Sequence, residues 1–233
     1  MSLTLLGAGP GSPGAGNPFF TGLLSYWHLA DATDSVGGNT WNPFGPTHYG
    51  PVTIPGVGAA SAYDFGNGGA DVLNSDIGFD GPSLNLFAQD FSFSFWMYPT
   101  SVGLYSAPFG RRDGSTGNFF VELVADDASF GFYIHSGSGQ HRSGPGTALL
   151  NTWQNVICTY TLADQTPRIY VNNVLGTGLQ VFSNTVSYAA VANRVGSGGA
   201  NYTHGQVGEI GIWNRLLTPA ERVTLQTKIY PFT

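Results

Sequence analysis

The sequence predicts an all-β sandwich or jelly roll, closed by a short C-terminal helix and preceded by an extended N-terminal arm rich in Gly and Pro. Three observations support this fold class. Short segments that alternate apolar and polar residues recur along the chain, as they do in half-buried strands. The 34 glycines and 14 prolines lack a collagen-like period and separate these segments as turn residues. Helical periodicity is confined to about a turn and a half near the C terminus, which argues against βαβ units.

The clearest predicted strand covers residues 91–98. One face is apolar and the other mixes serines with aromatic residues: Phe91, Phe93, Phe95 and Met97 against Ser92, Ser94, Trp96 and Tyr98. Similar patterns predict strands at 22–29, 118–125, 129–135, 153–160, 168–172, 194–195 and 207–213. The dipeptide Asn172-Asn173 suits a tight hairpin turn with positive φ. The alternation predicts that nine side chains are mostly buried: Phe93, Phe95, Trp153, Val156, Cys158, Ile169, Val171, Ile210 and Ile212.

The predicted C-terminal helix begins directly after the last strand. Thr218 is suited to the N-cap position, and Pro219 has the backbone angle of a first helical residue. Glu221, three residues after Thr218, completes a capping box. A last strand that runs into one capped helical turn is therefore expected to close the domain.

The chain is predicted to hold one domain, residues 21–233, because no linker interrupts its strands. Residues 1–20 are predicted to form an arm, since residues 1–18 carry no charged side chain and are rich in Gly and Pro. Its apolar anchors are Leu3, Leu5 and Leu6. Two interpretations remain open: a flexible tail, or an arm that becomes ordered on a neighbouring chain. The second implies a homo-oligomer, with a trimer as the first guess, or a particle lattice.

Charge and composition exclude several classes of partner. The net charge of −6 and a single lysine, Lys228, provide no basic surface for nucleic acid or anionic lipid. The sequence has no run of about 18 apolar residues, so no membrane insertion is predicted. The lone Cys158 excludes an internal disulfide. Only 9% of residues are charged, which favours either a surface of small polar residues or a surface covered in an assembly.

The residues do not predict an enzyme. Glycan hydrolysis requires two carboxylates that face each other across the scissile bond. Glu122 lies in a predicted strand, but the next position on its face is Val124, and Asp126 and Asp127 are adjacent and so point in opposite directions. The five histidines show no metal-ligand spacing, and the sequence has no nucleophile elbow or phosphate loop. No catalytic residue is therefore assigned.

Several segments, in order, resemble laminin-G-like domains of the concanavalin A-like lectin/glucanase superfamily. They are the opening segment 22–31 with 34–39, then 62–66, 91–96, 151–160 and 168–173, and the closing segment 205–222. The resemblance implies a two-sheet antiparallel jelly-roll sandwich over about residues 22–225. Hydrolases of this superfamily place their carboxylates on one strand as Glu-x-Asp-x-Glu, and this chain lacks that triplet. The resemblance does not imply a ligand, because the fold serves many functions.

The resemblance also raises the question of Ca²⁺ as a cofactor. Modules of this type often hold one Ca²⁺ at the rim of the sandwich, through carboxylates and loop carbonyls. The candidate ligands here are Asn67, Asp71, Asp76 and Glu209. Many relatives carry an Asp-Asp pair in the last strand where this chain has Ile210-Gly211, so the pattern departs from the family. The alternative is that Asp71 and Asp76 cap turns.

Glycan binding is the other candidate chemistry. Aromatic faces stack on sugar rings, and Asn, Asp and Gly supply hydrogen bonds. In this fold the loops 101–117, 136–147 and 197–205 are expected to gather at one rim. The candidate ligand-binding residues are Trp41, Tyr105, Phe109, Asn201, Tyr202 and His204.

Two functional hypotheses follow. The first is a non-catalytic structural or accessory protein at the surface of a phage virion, either a head-decoration or a tail-associated subunit. It would display a lectin-like sandwich for which glycan binding is a further option. Its partners would be other virion subunits, copies of itself and cell-surface glycans. The arm, the low charge and a chain that starts at its own Met without an export signal motivate this hypothesis. The alternative is an extracellular carbohydrate- or protein-binding module of a larger exported protein.

Overall fold

The computed structural model of the 233-residue chain is almost entirely β-structure. It describes residues 17–43, 48–66, 77–79, 89–102, 106–110, 118–135, 139–180, 193–195 and 203–232. A 3₁₀ turn (Pro18–Phe20) precedes the strands, and α1 (Pro219–Thr224) follows them. The strands are β1 (Leu23–Trp27), β2 (Asn42–Pro43), β3 (Tyr49–Ile54), β4 (Gly58–Asp64), β5 (Ile77–Phe79), β6 (Phe91–Pro99), β7 (Ser106–Gly110), β8 (Asn118–Val124), β9 (Ser129–His135), β10 (Gly139–Arg142), β11 (Gln154–Thr161), β12 (Thr166–Val171), β13 (Val174–Leu175), β14 (Gly178–Gln180), β15 (Asn193–Val195) and β16 (Gly205–Trp213).

The described strands form two antiparallel sheets. The back sheet has the order β13-β12-β11-β6-β16-β4-β3, and β1 also pairs with β16. The front sheet has the order β14-β10-β9-β8-β7-β15-β5-β2. This confirms the predicted fold class, a two-sheet antiparallel sandwich with one short helix. No helix in the described ranges is long and apolar enough to cross a bilayer. The arm residues Leu3, Leu5 and Leu6 lie outside the described residues.

The main core lies between the sheets and confirms the predicted alternation. Eight of the nine side chains that the pattern placed inside are buried: Phe93, Phe95, Val156, Cys158, Ile169, Val171, Ile210 and Ile212. Burial also raises the pKa of the Cys158 thiol well above its usual value, as expected for a core residue rather than a nucleophile. Trp153, the ninth, is only half-buried. This residue precedes β11, and its ring contacts Tyr98.

A second apolar cluster covers part of the outer face of the back sheet. It joins the two ends of the described chain to the sheet: Phe19, Leu23, Tyr26, Ile157, Tyr170, Trp213, Leu217, Leu225 and Phe232. Ser92, on the face of β6 away from the main core, is fully buried, and its hydroxyl accepts a hydrogen bond from the Leu217 N–H at 3.0 Å. The predicted boundary between arm and sandwich, after residue 20, falls inside this packed layer, since Phe19 is only 5% exposed.

Arg215 holds the two ends together. Its guanidinium donates to the carbonyls of Pro18 at 2.8 Å and Thr21 at 2.7 Å. It also donates to both carboxylate oxygens of Glu221, at 2.6 and 2.9 Å. Glu221 in turn accepts from the Thr218 N–H, so the predicted capping box of α1 is present. The same ion pair therefore fixes the start of the helix and the segment that leads into β1.

His141 links the front sheet to the back sheet. The imidazole lies in β10, is 2% exposed, and its Nδ1 accepts from the Ile169 N–H of β12 at 3.1 Å. Its Nε2 therefore carries the proton and donates to the Gly176 carbonyl at 2.8 Å. Burial lowers the pKa of His141, although the hydrogen bond to Gly176 works in the opposite direction. The folded protein thus favours the neutral imidazole.

We expect stability to fall in mild acid because of His141. A folded-state pKa below the unfolded value of about 6.5 means that the unfolded chain binds the proton first. The stabilisation is fully present above that value and is lost as the pH falls through the folded pKa. The slope is at most about 1.4 kcal/mol per pH unit for one proton. The pH dependence of stability is measured by urea unfolding of the wild type and His141→Gln between pH 7.5 and 5. An equally steep acid dependence in His141→Gln would contradict the assignment.

Candidate functional site

Three neighbouring strands of the front sheet place a polar row on its outer face. Gly131 of β9 is directly opposite Glu122 of β8 on one side and Arg142 of β10 on the other. The residues beside them in each strand, Val121, Phe132 and His141, point into the sandwich and are buried. By the alternation of a strand, Glu122, Gly131 and Arg142 share the opposite face. Glu122 and Arg142 are therefore two strand spacings apart, with a residue that has no side chain between them.

The ring of Tyr133 fills the gap above Gly131. A Cβ added at residue 131 would lie 2.5 Å from Cε2 and 3.1 Å from the hydroxyl oxygen of Tyr133. The ring edge that bears the hydroxyl thus lies directly on the backbone of Gly131. Only glycine permits this approach. The ring is half-buried, so it is fixed against the sheet and still presents surface to solvent.

Charged groups surround the Tyr133 hydroxyl. The guanidinium of Arg142 acts on it electrostatically and forms an ion pair with Asp127 at 3.4 Å. Burial raises the pKa of Tyr133, the negative charge of Glu122 raises it further, and Arg142 acts in the opposite direction. The phenol is therefore neutral at physiological pH. An aromatic surface flanked by guanidinium donors and carboxylate acceptors is the combination that binds a polyhydroxylated ring.

Two carboxylates, those of Asp127 and Glu122, lie near this polar row. Asp127 lies in the β8–β9 turn, where it accepts from the Ser129 hydroxyl at 2.6 Å and pairs with Arg142. Glu122 is 6% exposed, and Val124 occupies the next position on the same face of β8. Asp127 is thus held by its neighbours in the fold.

The structure describes three of the six sequence-predicted ligand-binding residues. Trp41 is 1% exposed and packs in the main core, with its ring centroid 4.9 Å from that of Trp27, so its faces are not available to a ligand. Phe109 lies in β7 rather than in a loop. His204 is half-buried at the start of β16, where its carbonyl accepts from the Thr100 N–H. Tyr105, Asn201 and Tyr202 lie outside the described residues.

Glu209, a candidate calcium ligand, is used inside the fold. It lies in a β-bulge of β16 with φ +53° and is 2% exposed. One carboxylate oxygen contacts Tyr26 Oη at 3.1 Å and His28 Nδ1 at 2.7 Å, and the other accepts from the Ser61 N–H at 3.3 Å. We therefore assign Glu209 to the packing of β16 against β1 and β4. Asn67, Asp71 and Asp76 lie outside the described residues. Within the described part of the chain, no group of three His, Cys, Asp or Glu side chains could hold a metal ion.

Sequence reasoning missed Gly131, Tyr133 and Arg142 as site residues. A signal for two of them was present. The alternation in 129–135 put Tyr133 on the face opposite Phe130 and Phe132, and a glycine inside a strand indicates close approach of another group. Arg142 carried no such signal, because β10 was not predicted as a strand.

Solved structures with a similar fold carry different activities. Domain 4 of AbnA, an extracellular GH43 arabinanase from Geobacillus stearothermophilus solved with arabinotriose, superposes with a TM-score of 0.61 at 16% identity, covering 88% of this chain and 98% of that domain. The receptor-binding domain of botulinum neurotoxin type G has a TM-score of 0.62 at 13% identity, covering 88% and 51%. A Trypanosoma rangeli sialidase has a TM-score of 0.59 at 15% identity, covering 88% and 32%. At these identities the likeness shows the fold alone.

The chain thus matches the whole of the arabinanase domain but only about half of the neurotoxin domain and a third of the sialidase. No curated protein matches the sequence. A family model does match: Laminin_G_3, of the concanavalin A-like lectin/glucanases superfamily, aligns with residues 73–221, which is more than half of the chain. The chain therefore belongs to this family and has its lectin-like sandwich fold.

Proposed function

We propose that the protein is a non-catalytic carbohydrate-binding module, and that a glycan lies on the outer face of its front sheet with one sugar ring on Tyr133. The observation that carries the proposal is the close packing of the Tyr133 ring on the backbone of Gly131. Glu122 and Arg142 lie opposite Gly131 on the two neighbouring strands. A flat aromatic surface packs against the C–H face of a sugar. The flanking guanidinium of Arg142, which is partly exposed, then donates to its hydroxyls.

The structural neighbours support glycans as the ligand class. The AbnA domain was solved with arabinotriose, and the binding domain of a botulinum neurotoxin, type DC, was solved in complex with SialylT. Both share the sandwich with this chain at low identity. Such a module acts where glycans are displayed, so we place it outside the cell, on a larger protein or on a particle.

Arabinotriose, cellotriose and sialyllactose serve as probes, measured by calorimetric titration against the wild type, Tyr133→Phe and Tyr133→Ala. Phe keeps the ring and should bind within about threefold of the wild type. Ala removes the stacking surface, worth about 1.4 kcal/mol, and should weaken binding about tenfold. Thermal unfolding of each variant controls for folding. Binding of all three probes that is equal in wild type and Tyr133→Ala, or absent in the wild type, would refute the proposed site.

We also expect no hydrolysis of these oligosaccharides, because Glu122 has no opposed partner carboxylate on its strand and Asp127 is paired with Arg142. Product analysis by chromatography after long incubation measures this. Turnover by the wild type that disappears in Glu122→Gln would show that the protein is a glycosidase.

A second candidate role concerns where the module is displayed. Only 9% of residues are charged, and residues 1–16 combine Gly and Pro with three leucines. Both features favour a subunit whose arm docks on a neighbour, as in the head-decoration or tail-associated virion protein expected from the sequence, or in a homo-oligomer such as a trimer. Deletion of residues 2–16 spares Asn17 and Pro18, which hydrogen-bond with Phe232 and Arg215. Unchanged oligomeric state and particle occupancy after this deletion would exclude the role.

A further inference from the structure

The back sheet has an open end beyond the layer formed by the chain termini. That layer covers β6 near Ser92 and β16 near Trp213. Because the two strands are antiparallel, the opposite end of this face carries the residues near the end of β6 and the start of β16. This end presents an aromatic pair, an amide, a carboxylate and two buried polar atoms, none of which the front-sheet site uses.

Three residues of this end form a row across neighbouring strands. Gln206 of β16 is directly opposite Tyr98 of β6 and also opposite Asp64 of β4. Their strand neighbours in the core, Met97, Val207 and Tyr63, are fully buried. The row therefore faces outward. Gln206 Nε2 donates to Asp64 Oδ2 at 3.1 Å, which fixes the orientation of the amide and leaves its oxygen for another donor.

An aromatic pair extends the row on the other side of Tyr98. The ring of Trp153, just before β11, lies 5.6 Å from that of Tyr98, centroid to centroid, at an interplanar angle of 53°. Both rings are half-buried. The other four tryptophans, Trp27, Trp41, Trp96 and Trp213, are at most 5% exposed. An angled pair of accessible rings beside an amide and a carboxylate forms a shallow cradle rather than a flat surface.

Two polar atoms next to this cradle lack a partner. Thr100 follows β6, and its N–H donates to the carbonyl of His204 at 3.2 Å, which continues the β6–β16 register past Tyr98. Thr100 Oγ1 and His204 Nδ1 are both buried with no hydrogen-bond partner in the described part of the chain. A buried polar atom without a partner destabilises the folded protein. Such atoms are suited to pair with the hydroxyls of a bound molecule or with water.

We infer a second glycan-binding surface here, formed by Tyr98, Trp153, Gln206 and Asp64, that takes neutral sugars. The aromatic pair packs on the C–H faces of a sugar, and the amide and carboxylate bind its hydroxyls. The only formal charge in this set is the carboxylate of Asp64, which repels acidic sugars. The front-sheet site differs, because it contains the positively charged guanidinium of Arg142. The module would thus bind two glycan chains on opposite faces, and bridging two chains raises the avidity for a dense glycan layer.

Tryptophan fluorescence isolates this surface from the front-sheet site. Trp153 is the one accessible tryptophan of the five, so acrylamide quenching reports on its exposure. The front-sheet residues Glu122, Gly131, Tyr133 and Arg142 include no tryptophan. We expect arabinotriose or cellotriose to reduce the quenching constant of the wild type about twofold or more at saturation, with the midpoint about tenfold weaker in Tyr98→Ala. Sialyllactose should give less protection.

Variants separate the two proposals. Gln206→Ala changes a surface side chain and should leave the protein folded. It should weaken the protection of Trp153 by the trisaccharide several-fold, so it provides the test if Tyr98→Ala does not fold. Tyr133→Ala should leave the protection of Trp153 unchanged. Protection lost in Tyr133→Ala but kept in Tyr98→Ala and Gln206→Ala would overturn the second surface and leave the front-sheet proposal intact. The second surface would also be overturned if neither arabinotriose nor cellotriose protects Trp153 from acrylamide.

Discussion

Replacing Gly131 with alanine is expected to weaken glycan binding about tenfold while leaving the fold intact, because the loss of an aromatic stacking surface is worth about 1.4 kcal/mol. The added Cβ would lie 2.5 Å from the ring of Tyr133. The ring is the far end of a flexible side chain, so it can move off the sheet and leave the backbone in place. The stacking face of the ring would then be lost.

Gly50→Ala is the matched control for this substitution. Gly50 also lies in a strand, β3, but a Cβ there would have no atom within 4 Å. Calorimetric titration of both variants with the best of the three trisaccharides measures the effect, and urea unfolding should show changes within about 1 kcal/mol. Equal affinities of Gly131→Ala and Gly50→Ala for the trisaccharide would show that the packing of the Tyr133 ring on Gly131 does not contribute to binding.

Replacing Arg215 with alanine is expected to destabilise the protein by about 2–3 kcal/mol, since it breaks charge-assisted hydrogen bonds that join the chain ends. Arg215 donates to Pro18, Thr21 and both oxygens of Glu221, and the Glu221 side chain is 6% exposed. Breaking a fully buried ion pair would destabilise the protein more. Here 24% of the Arg215 side chain is exposed, so solvent screens the interaction.

Arg168→Ala is the control, because Arg168 makes a single 3.2 Å hydrogen bond with the Thr161 hydroxyl and should change stability by less than about 1 kcal/mol. The free energy of unfolding in urea decides between the two. Burial alone would raise the pKa of Glu221, but hydrogen bonds from Arg215 and Thr218 outweigh it and lower the value. This stabilisation is present above the unfolded pKa of Glu and is lost as the pH falls through the folded one. Equal stability of the two variants would show that the ends are held by packing alone.

The strands with strong alternation could be predicted from sequence, because each side chain in them has a consistent face. The pattern of β6 and the positions of Ile169 and Ile212 in the core follow from period two alone. The capping box of α1 was also predictable, since it depends on residues three apart in the chain. Short strands such as β2, β10 and β14 were not, because two to four residues carry too little pattern.

Aromatic residues near strand ends were the weakest predictions. Trp41 and Trp153 have similar sequence surroundings, but the first lies in the core beside Trp27 and the second lies at the surface beside Tyr98. Glu209, a candidate metal ligand in the sequence, contacts Tyr26 of β1 and His28 just after β1, about 180 residues away in the chain. A side chain that finds its partners across that separation gives no local signal of its role.

The sequence by itself determined the strand periodicity, the capped closing helix, the lack of a basic surface and the absence of a same-strand carboxylate triplet, because these depend only on composition and on residues a few positions apart. The tertiary structure alone decided which faces remain open. Sheet register set Glu122 and Arg142 on either side of Gly131, and the folding of both chain ends onto the back sheet left Tyr98 and Trp153 accessible. Register and coverage arise from pairing between strands distant in sequence, which local pattern does not encode.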